Sequence, residues 1–325
     1  MPALPSEHHE YPMKTSIMNK VAVFLFLFLC INLPQEAEGQ ALASGAEASA
    51  KPFYDVKAAL TKPEEVKHLN IRQQDYYTLT PDICQLVYLE FINAMKNKIA
   101  SIAPEIGQLK QLRDINLSEN ELLELPSAFY TLPALQQADL SHNHLSEMPA
   151  GFGQLNTLQV LYLNHNKIRT LTSDVAKMNA LHTLNVSYNH VEVLPSQMGE
   201  MTKLNHLAVT QNQLRQVPPS LFKLKELKTV ALDFNQITAL PKQIGQAKTL
   251  QTLLLGHNQL KSLPDQLVQL QALELLDLSH NQLTTLPANM HKMKNLSTLL
   301  LVGNPLPAAE KDRLKKALPN TFIQF

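Results

Sequence analysis

Several residue types are scarce, and each scarcity closes a route. The 325 residues contain only two cysteines, Cys30 and Cys84. Cys30 falls in an N-terminal apolar stretch, so the rest of the chain holds one thiol, which cannot close an internal disulfide. Tryptophan is absent and glycine occurs only nine times, leaving little material for glycine-rich phosphate loops. Neither sign of charge is in excess, since 28 Lys and Arg balance 28 Asp and Glu. Without a basic excess there is no electrostatic footprint for a phosphate backbone, and nucleic acid is not an expected partner. There is no nucleophile elbow, zinc spacing or paired-carboxylate motif, so no catalytic residue, metal or cofactor is expected.

Long apolar runs are also missing, with one short exception. Residues 21–29 read VAVFLFLFL, preceded by Lys14 and Lys20 and followed by Ala37-Glu38-Gly39. A basic segment, a short apolar one and a small-residue site form the layout of a secretory signal peptide, with cleavage expected after Gly39 and, as the second choice, after Ala43. The run falls short of the roughly 20 residues that span a bilayer, so no stable transmembrane anchor is expected. Glu7, His8, His9 and Glu10 do not suit a basic leader and point to a start at Met13 or Met18. Acylation of Cys30 is a weaker alternative, because Leu29 precedes it where a small residue is needed. The expected location is therefore exported, whether periplasmic, cell-surface or secreted; a cytoplasmic chain is the alternative if the run is no signal.

What the chain has in abundance is period. Asn97, Asn120, Asn143, Asn166, Asn189, Asn212, Asn235, Asn258, Asn281 and Asn304 follow one another at intervals of 23 residues. Each sits at the same place in a frame such as Leu112, Ile115, Leu117, Asn120, Leu122. A fixed period of this length means stacked supersecondary units. In the second half of each unit, Leu125-Pro126, Leu194-Pro195, Leu240-Pro241 and Leu263-Pro264 share a column. Apolar residues then recur at three-residue spacing, which predicts a short helix or 3-10 turn with proline near its start. A weaker alternation sets Gly107, Gly153, Gly199 and Gly245 against Tyr130, Ala176, Phe222 and Val268.

The organisation read from this pattern is a leader at 1–39, a flexible spacer at 40–51, an N-terminal cap at 52–65, about eleven repeats at 66–306 and a C-terminal cap at 307–325. In the first cap Val56, Ala59 and Leu60 make one apolar helical stripe. In the last, residues 307–318 read as an amphipathic helix, and 321–325 can add a final strand that covers the sheet edge.

With this frame the chain resembles leucine-rich-repeat proteins whose units read LxxLxLxxNxLxxLPxxIGxLxx. The leader, the caps and the terminal Asn304-Pro305-Leu306-Pro307 resemble exported bacterial members. The same repeat occurs in intracellular signalling scaffolds that resemble Ras-pathway regulators, which keeps that alternative open. The resemblance implies an α/β solenoid, a curved horseshoe with a concave parallel β-sheet and short convex helices or 3-10 turns. It also implies a non-enzymatic recognition module whose ligand is a protein, a peptide or a glycan.

The asparagines are expected to be structural, because a buried amide can both donate to and accept from backbone groups that leave the strand. Binding information then lies on the concave face, where alternation exposes the residues between the leucines. Its middle carries Tyr162, Asn185 and His206, a mixture suited to anchoring a partner. Its C-terminal end carries Leu254, Leu275 and Leu300, expected as an apolar patch. His142, His165, His257 and His280 share the position before the asparagine; no Cys or carboxylate completes a metal site there, and the column reads as drift around a consensus.

Overall fold

The computed structural model describes residues 51–325. The leader and all of the spacer except Lys51 lie outside the described residues. Twelve strands form one parallel sheet, each three residues long. They are β1 (His68–Asn70), β3 (Phe91–Asn93), β5 (Asp114–Asn116), β6 (Gln137–Asp139), β7 (Val160–Tyr162), β8 (Thr183–Asn185), β9 (His206–Ala208), β10 (Thr229–Ala231), β11 (Thr252–Leu254), β12 (Leu275–Asp277), β13 (Thr298–Leu300) and β14 (Phe322–Gln324). Two short strands, β2 (Thr78–Leu79) and β4 (Ser101–Ile102), pair separately.

Pairing partners sit 23 residues apart from His68 with Phe91 through to Asp277 with Leu300. The last pairing, Thr298 with Phe322, spans one residue more. There the chain passes through a helix instead of another coil. The middle residue of each strand points inward, as Leu161, Leu184 and Val230 do with no exposure. Together with the flanking leucines they form one continuous core along the solenoid.

On the convex side, five-residue 3-10 turns such as Ser127–Thr131, Ser196–Glu200 and Lys242–Gln246 face the sheet. Pro126, Pro149, Pro195, Pro218, Pro241 and Pro264 sit at the capping position just before them, with φ between −64° and −72°. The ring fixes that φ and lacks the N–H that the turn would leave unpaired. Neighbouring turns pack closely enough that a Cβ at Gly199 or Gly245 would lie 2.6 Å from the Ser220 carbonyl oxygen or 2.8 Å from that of Gln266. The alternate coils fill the same column with the buried Tyr130, Phe222 and Val268.

The asparagine column bolts coil to coil. Asn143 Nδ2 donates to the carbonyls of Leu117 (2.9 Å), Leu140 (3.1 Å) and Ser141 (3.1 Å), while Oδ1 accepts the Leu122 N–H at 2.9 Å. Asn120, Asn189 and Asn258 repeat this set. The residue before each asparagine takes a left-handed conformation, from Lys96 (φ 57°) through Tyr188 (φ 55°) to His280 (φ 51°) and finally Gly303 (φ 76°), and Gln73 does the same before Gln74. No β-branched residue occupies that column, in keeping with the steric cost it would meet there.

At the N-terminal end, helix α1 (Val56–Leu60) buries Val56 and Ala59, and Asp55 caps it by accepting the Ala58 N–H. Phe53 pairs with Leu69 ahead of the first strand. A second short helix, α2 (Pro81–Cys84), buries Ile83 and Cys84. At the other end, helix α3 (Ala308–Ala317) buries Leu314 and Glu310. Glu310 Oε1 accepts the Leu286 N–H at 2.8 Å, and Arg313 binds both Glu310 and the Leu286 carbonyl. The Arg313 guanidinium first, with the Leu286 N–H, holds the Glu310 carboxyl below the usual range. Among the described residues, no helix is long and apolar enough to cross a membrane.

Candidate functional site

The concave face is made of side chains that flank the inward leucines. Its first column runs through Phe91, Asp114, Gln137, Val160, Thr183, His206, Thr229, Thr252, Leu275 and Thr298, which the parallel register sets side by side. All of these are partly buried except His206, which is exposed. The packed side chains around the base of its ring take water from it and, with the neighbouring Lys228, lower the His206 pKa. Burial also raises Asp114 to about 6 against the opposing pull of Arg113.

The next column holds a second polar ladder. Asn93, Asn116, Asp139, Asn185 and Asp277 each fold back so that Oδ1 accepts the N–H two residues on, at 2.8–3.2 Å. Such Asx turns satisfy the backbone where the strand ends. The ladder is interrupted at Tyr162, Ala208, Ala231, Leu254 and Leu300.

This ladder changes the standing of the expected binding residues. Asn185, expected as an anchor, is only 6% exposed, and its amide oxygen is engaged by Ser187. Leu254, expected in an apolar patch, is 3% exposed because neighbouring coils close over it. Leu275 and Leu300 remain half-buried, but Asp277 stands between Leu254 and Leu300 in the register, so a carboxylate interrupts the patch. Tyr162 is half-buried beside Asn185. His206 lies two strands beyond Val160, so Tyr162 and His206 share a surface without being direct neighbours. The six strand spacings from Tyr162 to Leu300 amount to about 30 Å, which keeps the middle and the C-terminal end of the face apart.

Two features escape the sequence reading. The histidine column is a stack of rings, with His142 on His165 at 4.1 Å and His165 on Tyr188 at 4.1 Å. After the break at Gln211, Phe234, His257 and His280 stack at 4.0 and 4.2 Å. The rings are near-parallel, so their in-plane lone pairs run side by side instead of converging on a metal. Among the described residues, no group of three His, Cys, Asp or Glu is placed to hold one. Burial first, then His142, lowers His165 to about 4 and keeps it neutral. The signal was six aromatic residues in one column of a chain poor in aromatics.

The other feature is Asp233, which is 2% exposed. Its Oδ1 accepts the Gly256 N–H at 3.0 Å, while its Oδ2 is buried without a hydrogen-bond partner. Burial, reinforced by Asp277, pushes its pKa up to about 7. The signal for it was a lone acid followed by a lone glycine in a column otherwise rich in Ser and Thr, from Met95 through Ser118, Ser187 and Thr210 to Ser279 and Val302.

Comparison with known proteins places the architecture. A family model described as a leucine-rich repeat region matches residues 135–237, and one described as a leucine rich repeat matches 89–145 and 248–306. No curated protein sequence matches the chain. Among solved structures, the chain is similar to an LRR protein of Leptospira interrogans at 25% identity and a TM-score of 0.57, covering 85% of this chain and 100% of that one. An internalin of Listeria monocytogenes shares 20% identity with a TM-score of 0.75, over 85% of this chain and 78% of that one. A plant peptide hormone receptor, solved in complex with its partner RGF2, shares 25% identity with a TM-score of 0.61, over 75% of this chain and 44% of that one.

Proposed function

The chain belongs to the leucine-rich-repeat proteins, and from that premise we propose that it is a non-enzymatic recognition module that binds a protein or peptide on its concave face. One observation carries this reading. The polar ladder of the face is broken at Tyr162, between Asp139 and Asn185, and the exposed His206 stands two strands further on. An aromatic and an imidazole side chain on a rigid sheet are suited to anchor a partner, because little conformational entropy remains to be lost on binding. The peptide hormone receptor complex gives a precedent for ligand binding among similar folds. A glycan remains the lesser ligand class.

The proposal extends to export, supported by the basic, apolar and small-residue order of residues 14–39. The experiment begins with N-terminal sequencing of the native protein, then partner capture with that form from the compartment where it resides. For an identified partner, Tyr162→Ala and His206→Ala are each expected to weaken binding about tenfold without changing the unfolding midpoint. Unchanged affinity in both variants would move the site elsewhere. A native chain that retains residues 1–39 would favour the intracellular scaffold.

A further inference from the structure

We propose that the outer edge of β14 is a docking site for an extended acidic segment of a partner protein, which joins the sheet as one more strand. This surface is separate from the zone that carries Tyr162 and His206, and the inference does not rest on them. β14 is the last strand of the sheet, paired with β13 on one side and with no strand on the other. The Phe322 N–H donates to the Ser297 carbonyl at 2.8 Å, and the Gln324 carbonyl accepts the Leu301 N–H at 2.7 Å. Both residues are thus turned toward β13. Alternation turns the N–H and carbonyl of Ile323 the other way, to the open side, and the Phe325 N–H with them.

The two ends of the sheet are finished differently. At the N-terminal end Phe53 bridges to β1, its N–H on the His68 carbonyl at 2.9 Å and its carbonyl on the Asn70 N–H at 2.8 Å. The outward positions beside it are shut. Pro52 has no N–H, and the Tyr54 carbonyl accepts from Gln74 Nε2 at 2.9 Å. Proteins blunt an edge with proline, lysine or a covering element. Residues 321–325 read TFIQF, with neither proline nor charge on the strand itself. Phe322 is 46% exposed and Ile323 is half-buried. This edge keeps what strand addition uses, outward backbone groups with apolar side chains beside them.

Charge selects the occupant. Residues 290–325 hold six Lys and Arg against two Asp and Glu, in a chain whose charges balance. Of the two acids, Glu310 is already bound by Arg313. Lys311 and Lys315 stand one turn apart on α3 and set their ammonium groups 5.6 and 5.7 Å from the centre of the Phe325 ring. Among the described residues neither forms an ion pair. An added strand runs about 4.8 Å from β14. Its side chain beside Phe325 then comes within reach of both ammonium groups, and the one two positions along meets Ile323. The matching segment carries a carboxylate and an apolar residue two positions apart. A second copy of the chain would offer TFIQF, with no acidic side chain for these lysines, and would add positive charge to positive charge.

The test titrates the full chain with the octapeptide acetyl-TVTETVTE-amide, in which Val and Glu alternate along one face. Affinity is read from the anisotropy of a fluorescein on the peptide, and strand addition from hydrogen exchange at the Ile323 amide. The peptide is expected to bind and to slow that exchange; the same peptide with Lys in place of Glu is expected to do neither. Ile323→Pro removes the outward N–H and leaves the bonds of Phe322 and Gln324 to β13, since an edge strand tolerates proline. Lys311→Gln combined with Lys315→Gln removes the charge and keeps the strand. Each change is expected to weaken binding about tenfold or more. A fully N-methylated peptide tests the same backbone bonds without altering the chain, and is expected not to bind. Equal affinity in the double lysine variant would overturn the proposal, as would an Ile323 amide that exchanges equally fast with and without peptide. A chain that sediments as a dimer, and as a monomer after Ile323→Pro, would give the edge to a second copy and overturn the acidic occupant.

Discussion

Asp139 and Asp233 are both aspartates of the concave face, and both are buried, at 4% and 2% exposure. Asp139 lies in the column whose side chains fold onto their own strand end. Its Oδ1 accepts the Ser141 N–H at 3.0 Å and the Ser141 hydroxyl at 2.6 Å. Asp233 lies two positions later in its coil and reaches across to the next one, where it finds one N–H, that of Gly256, and leaves an oxygen unpaired. Burial is the same in both; what differs is the number of partners that came with it. The N-terminal half of the face, except at Tyr162, is sealed by its own polar groups, and the C-terminal half keeps a polar group in want of one.

The contrast can be pressed at its satisfied extreme first. Asn189→Leu removes donors to the Leu163, Val186 and Ser187 carbonyls and an acceptor for the Ile168 N–H. It is expected to cost about 3 kcal/mol, read from the urea unfolding midpoint. Asp139→Ala strands the Ser141 N–H and hydroxyl and is expected to cost about 2 kcal/mol by the same measurement.

Asp233→Asn should go the other way. The carboxyl of Asp233 is raised from 3.8 to about 7, so the folded state holds its proton more tightly than the unfolded chain. The stability tied to that proton is complete below the unfolded value and is lost as pH rises through the folded one. A side-chain amide in its place has no such proton to lose. The variant is therefore expected to match the parent near pH 4 and to exceed it at pH 8.5, read from the urea unfolding midpoint at each pH. A variant less stable than the parent at pH 8.5 would mean that Asp233 is already satisfied, and the comparison with Asp139 would collapse.

The architecture was legible because it is written along the chain. The 23-residue period fixes the strand, the inward leucines and the parallel register, and the proline column marks each convex turn. The binding face was less legible because depth there is set by the neighbouring coil. Asn185 and Leu254 occupy outward positions by alternation, yet adjacent strands cover them. The Asx ladder is readable only once Asn116 and Ser118 are known to meet across a strand end. The ring stack needed the left-handed backbone at His142, His165 and Tyr188, which aims successive side chains the same way and which no spacing announces.

The asparagine bolt has a consequence for how such a protein can change. Asn143 reaches one coil back, to Leu117 and Leu122, and no further. Removing or adding a whole unit of 23 residues would rejoin like to like, with every amide finding the carbonyl it expects. A partial unit would have to lose or gain its residues on the convex side, as the 24-residue step to β14 does, or leave an amide without its partner. The length of this solenoid is thus quantised, and its concave face can be lengthened or shortened only in steps one strand wide.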